Sequence, residues 1–158
     1  MYPTSIGFPA ALDRIKELQS EAFHAEALVT SVFTLEKLMR RSMRITILAR
    51  GFTSKQADRL LGRGFDQLQK QWDIFDPMHE KLITILGSVD WQNIDKAVTA
   101  RNRMVHGARA YDQNDCRRMT DHVVGALKKL HAEIIRRYGI DPWERIKGRS
   151  KSKLQWLS

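Results

Sequence analysis

Residues 112–139, DQNDCRRMTDHVVGALKKLHAEIIRRYG, decide the fold class. Cys116, Met119, Val123, Ala126 or Leu127, Leu130 and Ile134 recur at intervals of three and four, which places them on one face of an α-helix. Asp112 is a residue type that caps a helix N-terminus, and Gly139 followed by Asp141-Pro142 is a natural stop. A half-buried strand would instead alternate apolar and polar residues, and no segment does so convincingly or carries a hairpin signal. The chain therefore reads as all-α.

Immediately upstream lies Arg101-Asn102-Arg103-Met104-Val105-His106-Gly107. Asp90 is a plausible N-cap for a helix running from Trp91 to about Val105. Its apolar stripe is Ile94, Ala97 or Val98, then Met104 or Val105, and Arg101 falls on that stripe. A core-facing arginine is costly unless paired, so something in the fold should meet it. Within six residues the segment offers a permanent cation, an amide and a group that titrates near neutrality.

Arg-Asn with a histidine five positions after the arginine, closed by glycine, resembles the Arg-x4-6-His signature of HEPN domains. These are small all-helical proteins, many of them metal-independent ribonucleases of toxin–antitoxin and antiviral systems. The resemblance covers most of residues 10–139, with its specificity concentrated in 101–107. It implies a helical bundle in which the motif helix directly precedes the last long helix.

The remaining segments agree with helices. Pro9 suits a first turn, and Ala10 to about Arg50 reads as helix ended by Gly51, with Leu12, Ile15, Leu18, Val29, Val32, Leu35 and Met39 on its apolar side. Some forty residues is long for a globular helix, so a break near Ser20 or Thr30 is expected. Arg40, Arg41, Arg44 and Arg50 suit the negative end of its dipole. Thr53 or Ser54 caps a short helix to Leu61, and Phe65–Phe75 forms another, broken by Asp76-Pro77. Met78–Leu86 reads as helical, with Leu82, Ile83 and Leu86 buried. The expected architecture is an up-down bundle of two long and several short helices over residues 1–140, followed by a basic tail, 141–158, anchored by Trp143 and Trp156.

Composition narrows the function classes. A chain of 158 residues with one cysteine, Cys116, can form neither an intrachain disulfide nor a cysteine-rich zinc site. Met1–Ala11 lacks the pattern of a signal peptide, and no apolar run approaches the roughly 18 residues of a membrane span. A cytoplasmic protein is expected. Of the net charge of +9, residues 144–153 carry +4, five cations against Glu144, leaving +5 elsewhere. Both parts suit a polyanionic partner, although basic surfaces also serve solubility.

RNA brings its own nucleophile, the 2′-hydroxyl beside the scissile phosphate. Cleavage then needs a proton acceptor, a proton donor for the 5′ oxygen and positive charge at the phosphorane. His106 suits proton transfer, Arg101 can hold phosphate bidentately, and Asn102 can orient phosphate or imidazole. Five helical residues span about 500°, leaving Arg101 and His106 about 140° apart. A helix end near Val105 with a left-handed Gly107 would let them converge. The resemblance implies a metal-independent route with 2′,3′-cyclic phosphate products and no cofactor. It also implies a two-fold homodimer whose motifs share one cleft, and a polar residue of an earlier helix supporting the arginine. Glu36, between Val32 and Met39, is the candidate for that support; its other reading is a surface pair with Arg40.

Arg103 could extend a phosphate track, while Arg109 and Tyr111 could grip a phosphate and stack a base. The plainer reading is a solvated loop arginine with a tyrosine packed under it. His122 and His131, nine residues apart on one helix, do not share a metal face, and His131 borders the core stripe. His24 and His79 have no partner at ligand spacing. Cys116 reads as a small buried hydrophobe, and Gly62-Arg63-Gly64 as a turn without the P-loop lysine. Two other function classes stay open. One is a non-catalytic HEPN module that binds RNA, nucleotide or a partner such as an antitoxin or nucleotidyltransferase. The other is a helical adaptor with a protein-binding tail.

Overall fold

The computed structural model describes residues 7–155 and is all-helical over them. Among the described residues seven helices follow in order: α1 (Phe8–Ser20), α2 (His24–Ala49), α3 (Ser54–Leu60), α4 (Phe65–Phe75), α5 (Leu82–Leu86), α6 (Ser88–Val105) and α7 (Gln113–Tyr138). The two helices of 26 residues, α2 and α7, pack along each other as the axis of the bundle. Helices α1, α3, α4 and α6 lean on α2, and α6 also lies against α7.

Helix α2 is covered on most sides. Leu28, Val32, Leu35, Leu38, Met39, Met43 and Ile47 are all buried, and so are Ser31, Thr34, Ser42 and Thr46. Those hydroxyls cost little because each donates to a carbonyl one turn back, as Ser42 does to Leu38 at 2.7 Å. The expected break lies just after Ser20. Phe23 N–H bonds Leu18 O at 2.8 Å and Ala22 N–H bonds Gln19 O at 3.1 Å, closing α1 in a Schellman turn with Ala22 at φ 61°.

Thr53 is the cap of α3, in a reciprocal capping box with Gln56. Two expectations fail. Only Leu82–Leu86 of the 78–86 stretch is helical, because Asp76 collects the Met78 and Glu80 N–H groups on its carboxylate and His79 adopts φ 54°. Ile83, expected inside, is 41% exposed. Asp90 does not cap α6 either. The helix begins earlier, at Ser88, because Gly87 at φ 90° ends α5 and starts α6 in one step.

The arginines at the end of α2 act as cross-links rather than on their own dipole. Arg40 donates to Gly62 O, Arg44 pairs with Asp58, and Arg50 reaches Ile74 O. Arg41 donates to the carbonyls of Pro142, Trp143 and Glu144. The basic segment that follows α7 thus lies on the bundle. Trp143 packs beside Phe8, His131 donates to Asp141 at 2.9 Å, Ser54 N–H bonds Arg149 O at 3.0 Å, and Lys153 N–H bonds Gly51 O at 2.8 Å. Gly51 is required twice over: it has φ 104°, and a Cβ would sit 2.7 Å from the Lys153 carbonyl carbon. Trp156 lies outside the described residues.

At the same end, Arg137 has a side chain only 5% exposed and pairs with Asp76, Glu80 and Glu133. Asp76→Ala would leave that guanidinium short of a partner and free two loop N–H groups. We expect a loss of about 3 kcal/mol, read as a lower urea midpoint. A second expectation concerns acid. Burial opposes ionisation of Asp141, but the Trp143 N–H, His131 and Arg41 outweigh it and hold the carboxyl below its usual range. This stabilisation is present above the unfolded carboxylate value and is lost as pH falls through the lower folded one. Thermal melting across acid pH should therefore show a shallower acid fall for Asp141→Asn than for the parent.

Candidate functional site

Helix α6 buries Ile94, Ala97, Val98 and Ala100, and its phase carries Arg101 onto the same side. Met104 is partly buried and completes the stripe, whereas Val105 is 60% exposed. Arg101 Nη2 donates to Glu36 Oε1 across the α2–α6 contact, with both side chains 16% exposed. Of the two pairings open to Glu36, the inward one forms. Arg101 Nε is buried with no hydrogen-bond partner among the described residues.

The motif's other end is a helix terminus. Ala108 N–H bonds Arg103 O at 2.8 Å and Gly107 N–H bonds Met104 O at 3.0 Å, a Schellman motif with Gly107 at φ 66°. His106 is the last residue before that turn, with φ −87° and ψ 6°, close to helical values. Its side chain has thus already left the helix when Gly107 turns the chain. Arg101 points in toward α2, while His106, about 140° round, is exposed and makes no side-chain hydrogen bond among the described residues. The helix end at Val105 and the left-handed Gly107 expected from the sequence are both present, and Arg101 Nη2 is taken by Glu36.

His106 shares a face of α6 with Asp95, Thr99 and the exposed Asn102, at spacings of four, three and four. Beside that face is a cleft of about 480 Å³ between α6 and α7, lined by Lys96, Thr99, Arg103, Tyr111, Arg118 and His122 among others. Arg103 and Tyr111 are therefore brought together. The Arg109 guanidinium lies 5.0 Å from the Tyr111 ring centroid, so these two hold each other in a cation–π contact. Sequence reading missed Lys96, Arg118 and His122. Their signal was helical phase, since 96, 99 and 103 line one side of the cleft and 118 and 122 the other.

A second hollow, of about 250 Å³, lies between α2 and the end of α6, lined by Ala25, Glu26, Val29, Met104 and Val105. Cys116 is buried, and that burial, with Asp115, Asp112 and Glu26 nearby, pushes its thiol pKa up. His131 stacks on Phe8 with ring centroids 3.9 Å apart, as a packing residue would. The Gly62 and Arg63 N–H groups are taken by Gln71 and Gln67, so this turn offers neither to a phosphate. Among the described residues no three His, Cys, Asp or Glu side chains gather as a metal site would require, and no helix is long and apolar enough to cross a membrane.

No family model, curated protein or solved structure gives a significant match to this chain.

The Arg101–Glu36 pair makes a sharp prediction. Glu36→Met alone strands a mostly buried guanidinium and should cost about 2 kcal/mol in urea unfolding. Adding Arg101→Met should recover most of that loss, because two packed apolar side chains replace the pair. A double variant no more stable than the single one would show that the pair contributes little.

Proposed function

We propose that this chain is a metal-independent endoribonuclease of the HEPN type that works as a two-fold homodimer, as in toxin–antitoxin and phage-defence systems. The observation that carries the reading is the motif's division of labour. Arg101 is anchored on Glu36 of an earlier helix, while five residues on His106 stands exposed at a glycine-closed helix end beside Asn102 and Arg103.

In this reading His106 of one copy takes the proton of the 2′-hydroxyl. The 2′ oxygen then attacks phosphorus and closes the 2′,3′-cyclic phosphate. The leaving 5′ oxygen receives its proton from the imidazolium of the second copy's His106. Arg101 and Arg103 supply positive charge at the phosphorane, and Asn102 orients it. The single motif histidine, His106, supports the need for a second copy, because two proton transfers must be served. So does the exposed apolar ground at the helix end, where Val105 borders the hollow against Ala25 and Val29.

One observation favours a second reading. Arg101 is already committed to Glu36, and a guanidinium held for structure would leave a non-catalytic module that binds RNA, nucleotide or a partner protein. A single-stranded RNA of mixed sequence, incubated in EDTA with the parent, His106→Ala and Arg101→Ala, separates the two. The enzyme reading requires cyclic-phosphate ends from the parent and a fall of at least about 100-fold in each folded variant. Equal backgrounds in all three would leave the binding module or an enzyme that needs a particular RNA.

A further inference from the structure

Arg145, Lys147, Arg149, Lys151 and Lys153 occupy every second position of the segment that follows α7. From Arg145 to Arg149 the backbone runs without turn or bend. The residues between these cations are the ones that address the bundle. Ile146 packs against the core, a Cβ on Gly148 would fall 1.9 Å from Ser54 Oγ, and Ser152 Oγ lies 3.5 Å from Gly51 O. In an extended chain alternate side chains point opposite ways, so with 146 and 148 inward Arg145, Lys147 and Arg149 point outward. Arg145, Lys147, Lys151 and Lys153 are exposed, Arg149 is partly so, and none has an ion-pair partner among the described residues.

Charge kept only for solubility needs no fixed geometry. Here the segment is clipped to the bundle at three places: Arg41 on three carbonyls, Ser54 on Arg149, and Gly51 on Lys153. Those clips hold five like charges in a row against their mutual repulsion, with Glu144 the single acid in residues 144–153. The geometry points to a binding ladder for the phosphodiester backbone of single-stranded RNA. Four residues of extended chain separate Arg145 from Arg149, at most about 13 Å, and Lys151 and Lys153 continue past a bend at Ser150 and Lys151, a course that a flexible strand can follow. A duplex carries its phosphates away along a helix. A membrane surface would favour apolar anchors between the cations, and Leu154 is the one large exposed hydrophobe from 144 to 155. The ladder is distinct from the motif and holds whether or not His106 cleaves RNA.

The test uses the full chain carrying His106→Ala, so that cleavage cannot confound binding. Fluorescence anisotropy with a labelled single-stranded RNA is read from about 50 to 200 mM salt. Changing all five cations to glutamine should lower the salt slope by about 3.5, because each phosphate contact on a single strand contributes about 0.7. The ladder's share of affinity then falls about 100-fold across that salt range. Gly148→Leu keeps every charge but pushes the segment off Ser54, so it should weaken binding while leaving the slope intact. Circular dichroism checks that both variants keep their helices. An unchanged affinity and slope in the five-fold variant would overturn the proposal, as would binding of anionic vesicles in preference to RNA. Duplex RNA bound as tightly as the single strand would overturn the strand preference, and an unaffected Gly148→Leu would overturn the need for a clipped segment.

Discussion

The bundle depends on covering α2. A helix buried on most sides cannot find enough partners in one neighbour, so it recruits α1, α3, α4, α6 and α7 in turn. Its length makes this harder, because α1 turns away after Ser20 and leaves the remaining 26 residues to be covered by elements far along the chain. The polar residues of α2 are tolerated because they are short hydroxyls that bond their own helix, or arginines long enough to reach carbonyls elsewhere. The one acid on its middle turns, Glu36, meets the one arginine that α6 turns inward.

Most of this was legible in the sequence where a single period ran long enough. The stripe of α7, the break after Ser20 and the Thr53 cap all follow from local patterns. The stretch from 76 to 90 did not, for a reason visible in the side chains. Asp76 is buried and serves Met78, Glu80, Arg137 and Tyr138 at once, and the last two of these contacts are set by tertiary packing that no local pattern encodes. Gly87 joins two helices directly. At the site, the inward phase of Arg101 was readable and its partner could be narrowed to Glu36. So was the left-handed residue, which is Gly107 and not His106.

That one-residue distinction shapes the chemistry available. A helix end placed so that His106 keeps near-helical angles sends the imidazole to the side of Asn102 and the α6–α7 cleft, and keeps the arginine with the core. The ion-paired arginine and the exposed histidine are thereby separated within five residues. The arginine is positioned by an ion pair from α2, and the histidine by a backbone turn whose hydrogen bonds involve no side chain. Changes to either anchor can be made without touching the other.

The contact between Arg41 and the carbonyls of Pro142, Trp143 and Glu144 spans about a hundred residues of sequence. A nascent chain emerging at about 5–20 residues per second leaves that guanidinium without its acceptors for about 5–20 seconds. During this interval the C-terminal half of α2 has no strap over it, and Phe8 lacks Trp143. The late arrival of one short segment therefore sets when this end of the bundle is sealed, and any change that removes or displaces residues 142–144 acts on that step.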